Sequence, residues 1–145
     1  MPKMVFINLP VADLGKAKAF YTAIGFTNEP RFSDDAGACM VWSDTIYAML
    51  LTHEKWQGFT KRPIGAGEVM LALSFDDKAA VDTAVEAAGT HGGTVDPNPV
   101  QDLGFMYGRS LLDPDGHLWE AFWMDPAAAQ GGPPSDGTDA HERVA

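Results

Sequence analysis

The sequence predicts an α+β protein of two βαβββ modules, whose curved mixed sheet encloses a central cleft. Three observations carry this prediction. Apolar residues alternate with the period of a β-strand at the start of each half, helix-like spacing follows each alternating run, and this succession occurs twice. We expect the first module over residues 1–53, a linker over 54–67, the second module over 68–125 and a flexible tail over 126–145.

The first module begins with an alternating strand over residues 4–11, in which Phe6 and Asn8 share a face. Asp13 can cap the following helix, because its carboxylate accepts free N–H groups of the first turn. Gly25 is expected to end that helix, since glycine tolerates the left-handed conformation. Further strands are predicted over 28–33, 37–43 and 45–53.

The second module repeats this order. Alternation over residues 69–75 predicts a strand, Asp76 or Asp77 is expected to cap the next helix, and Gly89 or the Gly92-Gly93 pair ends it. Leu9 corresponds to Leu73 and Asp13 to Asp77, and each pair is 64 residues apart. Further strands are predicted over 94–97, 104–112 and 117–124, the last two joined by an Asp-Pro-Asp-Gly turn at 113–116.

Composition excludes several classes of protein. The chain has 20 acidic and 10 basic residues, a net charge of −10, which argues against nucleic acids and anionic membrane surfaces as partners. No stretch approaches the roughly 20 apolar residues of a membrane span, and the N-terminus lacks the apolar core of a secretory signal, so we expect a cytoplasmic protein. The single cysteine, Cys39, excludes an intrachain disulfide and is expected to be buried.

Three segments, in order along the chain, carry a family resemblance. They are LPVADLGKAKAFYTAIGF (9–26), LALSFDDKAAVDTAVEAAGTHGG (71–93) and DPDGHLWEAFW (113–123). They resemble the two strand–helix units and the closing hairpin of the vicinal-oxygen-chelate superfamily, which includes glyoxalases, extradiol dioxygenases and bleomycin-resistance proteins. The resemblance covers about residues 1–125 and implies a ligand site in the central cleft.

The resemblance also implies where a catalytic metal would bind. Metal enzymes of this superfamily hold a divalent ion with His or Glu side chains of the central strands, and the corresponding positions here are Phe6, Met70, a position near Leu50, and Glu120. Only Glu120 offers a donor suited to a hard divalent ion. We therefore expect no metal and no other cofactor.

Glu120 has two interpretations. It either forms a salt bridge within an apolar strand, or remains as a polar ligand anchor or general base and so is the candidate catalytic residue. Counting across the hairpin places Arg109 or Ser110 opposite it. His53 ends the fourth strand and could touch a ligand, whereas the other histidines, including His117, are expected on the surface. Phe6, Asn8, Trp42, Leu50, Met70, Tyr107, Arg109 and Phe122 are expected to line the cleft.

Two functions remain open. The first is a metal-free protein that binds or sequesters a small molecule in an apolar cleft, as bleomycin-resistance proteins do, or catalyses a metal-independent reaction. The alternative is a divalent-metal-dependent lyase or dioxygenase of the glyoxalase or extradiol type. The missing metal donors favour the first. A homodimer is expected, because the superfamily commonly builds sites from paired modules and twofold dimers are the commonest closed assembly.

Overall fold

The computed structural model describes residues 2–131 and contains two mixed β-sheets. A single 3-10 turn, Pro30–Phe32, interrupts the first module. The elements are β1 (Val5–Val11), α1 (Leu14–Ile24), β2 (Thr27–Glu29), β3 (Gly37–Val41), β4 (Ile46–Thr52), α2 (His53–Phe59), β5 (Met70–Ser74), α3 (Lys78–Thr90), β6 (Thr94–Val95), β7 (Gln101–Asp102), β8 (Met106–Leu112), β9 (Leu118–Met124) and α4 (Pro126–Gly131).

The two sheets repeat one arrangement. The first has the strand order β1–β4–β3–β2, and the second has the order β5–β9–β8–β6, with β7 also paired to β8. The first strand of each module pairs in parallel with the last and lies at the edge of its sheet, while the other pairs are antiparallel. The predicted α+β fold with a repeated strand–helix–strands unit is confirmed, and the second module contains one short strand, β7, that was not predicted.

Both module helices begin at the aspartates expected from the sequence. The side chain of Asp13 accepts a hydrogen bond from the backbone N–H of Lys16 at 3.0 Å, and that of Asp77 accepts one from Ala80 at 2.7 Å. These bonds satisfy N–H groups that have no partner within the helix. Asp77 rather than Asp76 is therefore the cap, and the 64-residue repeat extends to the caps themselves.

Three segments differ from the predicted boundaries. β2 ends at Glu29, because Pro30 lacks the N–H that a continuing strand would need. The expected linker begins with helix α2, and the expected tail begins with helix α4. Residues 132–145, the rest of that tail, lie outside the described part of the chain. Within the described residues, no helix is long and apolar enough to cross a membrane.

The two modules share one hydrophobic core, formed by α1, α3 and the sheet faces beneath them. Trp119 of β9 is 1% exposed and packs edge-on against Tyr21 of α1 and Phe26, with ring centroids 5.9 and 6.0 Å apart. Its indole N–H donates to the Tyr21 hydroxyl at 3.0 Å, and that hydroxyl donates to Asp113 at 2.5 Å. The packing thus includes a buried polar chain between the modules.

The hairpin turn at 113–116 and the residue after it form further hydrogen bonds between the two modules. The backbone N–H of Ala12 donates to the Asp115 carboxylate at 2.9 Å. His117 Nε2 lies 2.9 Å from the carbonyl oxygen of Pro10, which can only accept, so Nε2 carries the proton. The expectation that His117 lies on the surface is wrong, since it is 9% exposed and bonded to the other module.

Candidate functional site

The first sheet carries an open cavity of about 650 Å³ on the face opposite α1. Strand register brings alternate residues of neighbouring strands together there, with Phe6 beside Tyr47 and Met49 between Asn8 and Cys39. All residues around this first-module cavity belong to the first module. They are Met4, Phe6, Asn8, Glu29, Arg31, Phe32, Cys39, Val41, Tyr47 and Met49.

Aromatic rings form one wall of the first-module cavity. Phe6 and Tyr47 stack with centroids 4.6 Å apart and planes inclined by 9°. Phe6 is 48% exposed and Phe32 is 67% exposed, so both rings are open to contact from the cavity side. A flat apolar molecule can extend such a stack and cover the exposed faces.

One ion pair borders the first-module cavity. The Arg31 guanidinium donates to Glu29 Oε1 from Nη2 at 2.7 Å and from Nε at 3.1 Å. The hydrogen bonds from Arg31 hold the pKa of the Glu29 carboxyl below its ordinary value, and the pKa of Arg31 is raised in return. The pair is therefore charged on both sides and contributes no net charge to the cavity.

Cys39 faces the first-module cavity but is 3% exposed, in agreement with the prediction that it is buried. Burial raises the pKa of its thiol above the ordinary value. The neutral thiol is a poor nucleophile, since thiolate is the reactive form. Cys39 therefore forms part of the apolar lining.

Two of the residues predicted for the cleft, Phe6 and Asn8, meet in the first-module cavity. Asn8 is exposed, and its amide nitrogen donates to the carbonyl oxygen of Phe6 at 3.3 Å. Asn8 also borders two neighbouring cavities. It is thus the polar group in the middle of β1, on an otherwise largely apolar strand face.

The assignment of Leu50 to the cleft is wrong. Leu50 is fully buried in the hydrophobic core, on the opposite face of β4. Met49 pairs with Asn8 and lines the cavity in its place. A slip of one residue along a strand turns every side chain to the other face, and this slip accounts for the error.

Trp42 also lies outside the cavity. It follows the end of β3 and its ring packs against Phe26 and Phe75, with centroids 5.0 Å away in both cases. A side-chain carbon added at Gly25 would lie 3.0 Å from the Trp42 ring. Trp42 therefore packs between the two modules, and its assignment to the cleft is wrong.

Tyr107 and Arg109 face α3 rather than a cleft. The Tyr107 hydroxyl donates to Asp82 at 2.6 Å. Arg109 is bonded to the carboxylates of Asp82, Glu86 and Asp96 at 2.7–3.0 Å. Their assignment to the cleft is wrong. Alternate residues of a strand point to opposite faces, and in β8 Gly108 and Ser110 lie on the face away from α3.

The remaining predicted residues lie on the second sheet. Glu120 is 9% exposed and stands between Ala72 of β5 and Ser110 of β8, so the choice between Arg109 and Ser110 is resolved in favour of Ser110. Phe122 shares its face, and Met70, which is 49% exposed, lies on that face of β5. The roles of these residues in ligand binding or catalysis stay predictions.

Strand pairing aligns the two modules at the positions implied for a metal. Phe6 pairs with Tyr47 as Met70 pairs with Leu118, and two residues further along Met49 corresponds to Glu120. The four positions offer a benzene ring, two thioethers and one carboxylate, which do not fit a hard divalent ion. Among the described residues, no three His, Cys, Asp or Glu side chains are grouped to hold a metal.

The residues predicted for the cleft do not include Tyr47, Phe32, Glu29 or Arg31. Tyr47 shares an alternation pattern with Met49, and correct register in β4 would have identified it. The other three residues reach the cavity through the short β2 and the 3-10 turn that follows. The sequence predicts a strand over 28–33, where the structure has this turn. The alternation pattern therefore does not indicate that Glu29, Arg31 and Phe32 lie beside the same cavity.

Comparison with known proteins agrees with this architecture. Residues 3–42 match the family described as bleomycin resistance protein-like N-terminal. A hypothetical protein from S. aureus has 27% identity and a TM-score of 0.70, covering 85% of this chain and 95% of that one. A glyoxalase/bleomycin resistance protein/dioxygenase family enzyme from Burkholderia phytofirmans PsJN has 20% identity and a TM-score of 0.69, with 85% and 99% covered.

A third similar structure is a glyoxalase-related enzyme from Fulvimarina pelagi, with 19% identity and a TM-score of 0.71 over 85% of this chain and 88% of that one. No curated protein matches the chain significantly. Three findings agree with one another: the match of the N-terminal segment to this family, the repeated-module fold and the sequence motifs. Residues 3–42 thus resemble the N-terminal part of bleomycin-resistance-like proteins, and the chain as a whole has the fold of the glyoxalase/bleomycin resistance/dioxygenase proteins.

Proposed function

We propose that the protein binds a flat apolar small molecule in the first-module cavity without using a divalent metal. The observation that carries this proposal is the cavity of about 650 Å³ with the stacked Phe6 and Tyr47 rings on its wall. Met49 stands at the strand position where the second module has Glu120. Thioether and ring groups suit apolar contact, and methionine adapts to irregular ligands.

The alternative function is a divalent-metal lyase or dioxygenase. Lewis-acid catalysis needs an ion that stabilises charge on substrate oxygens, and such an ion needs several oxygen or nitrogen ligands. Glu120 supplies one carboxylate, and Phe6, Met49 and Met70 supply none. This donor chemistry is the reason for preferring metal-independent binding.

Replacing Phe6 with alanine is expected to weaken binding of the neutral fluorescent probe N-phenyl-1-naphthylamine about tenfold, because a stacking surface is lost. Fluorescence titration of the full chain measures the dissociation constant. Val100→Ala removes a similarly exposed apolar side chain, 47% exposed, outside the first-module cavity and should leave binding unchanged. A variant at Phe6 that binds as tightly as the wild type would contradict the proposal.

The same preparation, purified without chelators, should also be analysed for nickel, zinc, iron and manganese. We expect less than roughly one-tenth of an equivalent per chain, since one carboxylate cannot retain such an ion against water. About one tightly held ion per chain would favour the metal-dependent alternative instead.

We also propose that two copies associate through the edge strands β1 and β5. Val5 is 48% exposed, and its counterpart Val69 is 62% exposed. Exposed apolar residues at unpaired strand edges are typical of protein interfaces, and the twofold dimer is the simplest closed assembly.

Val5→Lys is expected to shift the sedimenting mass from that of a dimer to that of one chain, 15.6 kDa, because it places a charge in the interface. Val100→Lys introduces the same charge at an equally exposed valine outside these edges and should leave the mass unchanged. A wild-type protein that sediments as a single chain would rule the dimer out.

A further inference from the structure

We infer that a second compartment beside the linker binds an anionic oxygen group of the ligand, whose apolar body occupies the first-module cavity. This inference rests on the proposed function and specifies its ligand class: a flat aromatic molecule bearing an acidic group. The linker compartment has a volume of about 410 Å³ and lies between β1, the segment 62–69 and the start of β9. It is bordered by residues 8–10, Trp56, 62–69, Leu71, His117 and Leu118.

Asn8 borders both spaces. Besides the first-module cavity and the linker compartment, it borders a third cavity of about 390 Å³ beside α2. A ligand that extends from the first-module cavity past Asn8 would reach the linker compartment. The Asn8 amide can donate to or accept from a polar group at that point.

Trp56 supplies an unused donor in this region. Its indole nitrogen is buried and has no hydrogen-bond partner among the described residues. Trp56 borders both the linker compartment and the third cavity. A buried N–H without an acceptor is unfavourable, so an oxygen acceptor that reaches it would be bound favourably.

The covering segment is held loosely enough to admit such an acceptor. Residues 63–68 make no hydrogen bond to any other residue that the structure describes, whereas Arg62 is tied by its backbone N–H to the Thr60 hydroxyl at 3.2 Å. Gly67 has a positive φ of 96° and no atom within 4 Å of the place where a β-carbon would lie. The segment can shift without losing hydrogen bonds or packing at that glycine.

Arg62 gives the linker compartment its preference for an anion. Arg62 borders the compartment and its guanidinium forms no ion pair within residues 2–131, in contrast to that of Arg31, which is bonded to Glu29. Glu68 borders the same compartment and partly offsets this charge. A guanidinium that lacks a carboxylate partner is the group best suited to hold a carboxylate or sulfonate.

Two fluorescent probes with the same ring system test this inference on the full chain. N-phenyl-1-naphthylamine is neutral, and 1-anilinonaphthalene-8-sulfonate carries an anionic group. We expect the wild type to bind the sulfonate at least about fivefold more tightly, although the protein's net charge of −10 repels anions. Arg62→Gln and Trp56→Phe should each remove most of this preference and leave affinity for the neutral probe within about twofold.

Matched variants locate the effect. Lys61→Gln removes the same charge from a neighbouring side chain that does not border the compartment, and should preserve the preference. Glu68→Gln should increase it. If Arg31→Gln abolishes the preference and Arg62→Gln does not, the anion lies at the rim of the first-module cavity and the inference is wrong.

Failure of the inference and failure of the proposed function give different results. If the neutral probe binds and the sulfonate binds no more tightly, the compartment does not select an anion, while the proposed apolar binding stands. If neither probe binds, the proposed function fails and the inference fails with it.

Discussion

Replacing Trp119 with alanine is expected to lower the free energy of unfolding by about 3–5 kcal/mol, the range for a large buried aromatic residue. Trp119 is 1% exposed and lies where the second module packs on α1. Its removal leaves a cavity against Tyr21 and Phe26, and deprives the Tyr21 hydroxyl of the indole N–H that donates to it at 3.0 Å. Urea denaturation of the full chain measures the change.

Two further variants separate packing from hydrogen bonding. Trp119→Phe keeps one aromatic ring in the junction but loses the N–H donor and part of the ring volume, so it should cost about 1 kcal/mol for the hydrogen bond plus a smaller contribution from the lost volume. Trp123 lies on the same strand as Trp119 but at the partly buried margin of the core. Trp123→Ala should therefore lower the free energy of unfolding less than Trp119→Ala does. A Trp119→Ala loss no larger than that of Trp123→Ala would show that the modules are not held together at Trp119.

Local features of the chain were predictable because they depend on nearby residues alone. Asp13 and Asp77 cap their helices through N–H groups three residues ahead, a relation visible in the sequence. The 64-residue repeat then fixed the order of elements, since each copy contains the same succession of periods. The burial of Glu120 followed from its apolar strand neighbours.

Strand register was harder to predict than strand existence. The choice between Leu50 and Met49 depends on where β4 begins, and its pairing with β1 sets that start. Arg109 shows the same limit, because counting across the hairpin leaves either Arg109 or Ser110 opposite Glu120. Its partners are instead on α3 and at Asp96. Such contacts depend on packing between elements rather than on local period.

The junction between the modules left almost no signal in the sequence. Tyr21 and Asp113 are 92 residues apart, yet their side chains form the shortest link of the buried chain. Asp113 was predicted from its role in a hairpin turn, and His117 was placed on the surface beside that turn. Both side chains instead bond across the shared core, which only the tertiary arrangement reveals.

Asp113→Asn is expected to change how stability depends on pH. Asp113 is 3% exposed, and burial raises the pKa of its carboxyl, although hydrogen bonds from the Tyr21 hydroxyl and from backbone N–H groups favour the charged form. The folded protein therefore binds this proton more tightly than the unfolded chain, where the pKa is about 3.9. The resulting stability is fully present below that pH and is lost as pH rises through the raised folded value.

Urea denaturation of the wild type and Asp113→Asn at intervals from pH 3 to 7 tests this sign. The free energy of unfolding of the wild type minus that of the variant should fall as pH rises, because the variant cannot take up the proton. Asp34→Asn is the contrasting control: backbone N–H groups of Ala36 and Gly37 lower the pKa of Asp34, so its difference should rise with pH and level off above about pH 4. If the wild-type-minus-variant free energy of unfolding for Asp113 rose with pH in the same way, the hydrogen bonds from Tyr21 and the turn would outweigh burial. The carboxyl at the module junction would then be more stable in its charged form.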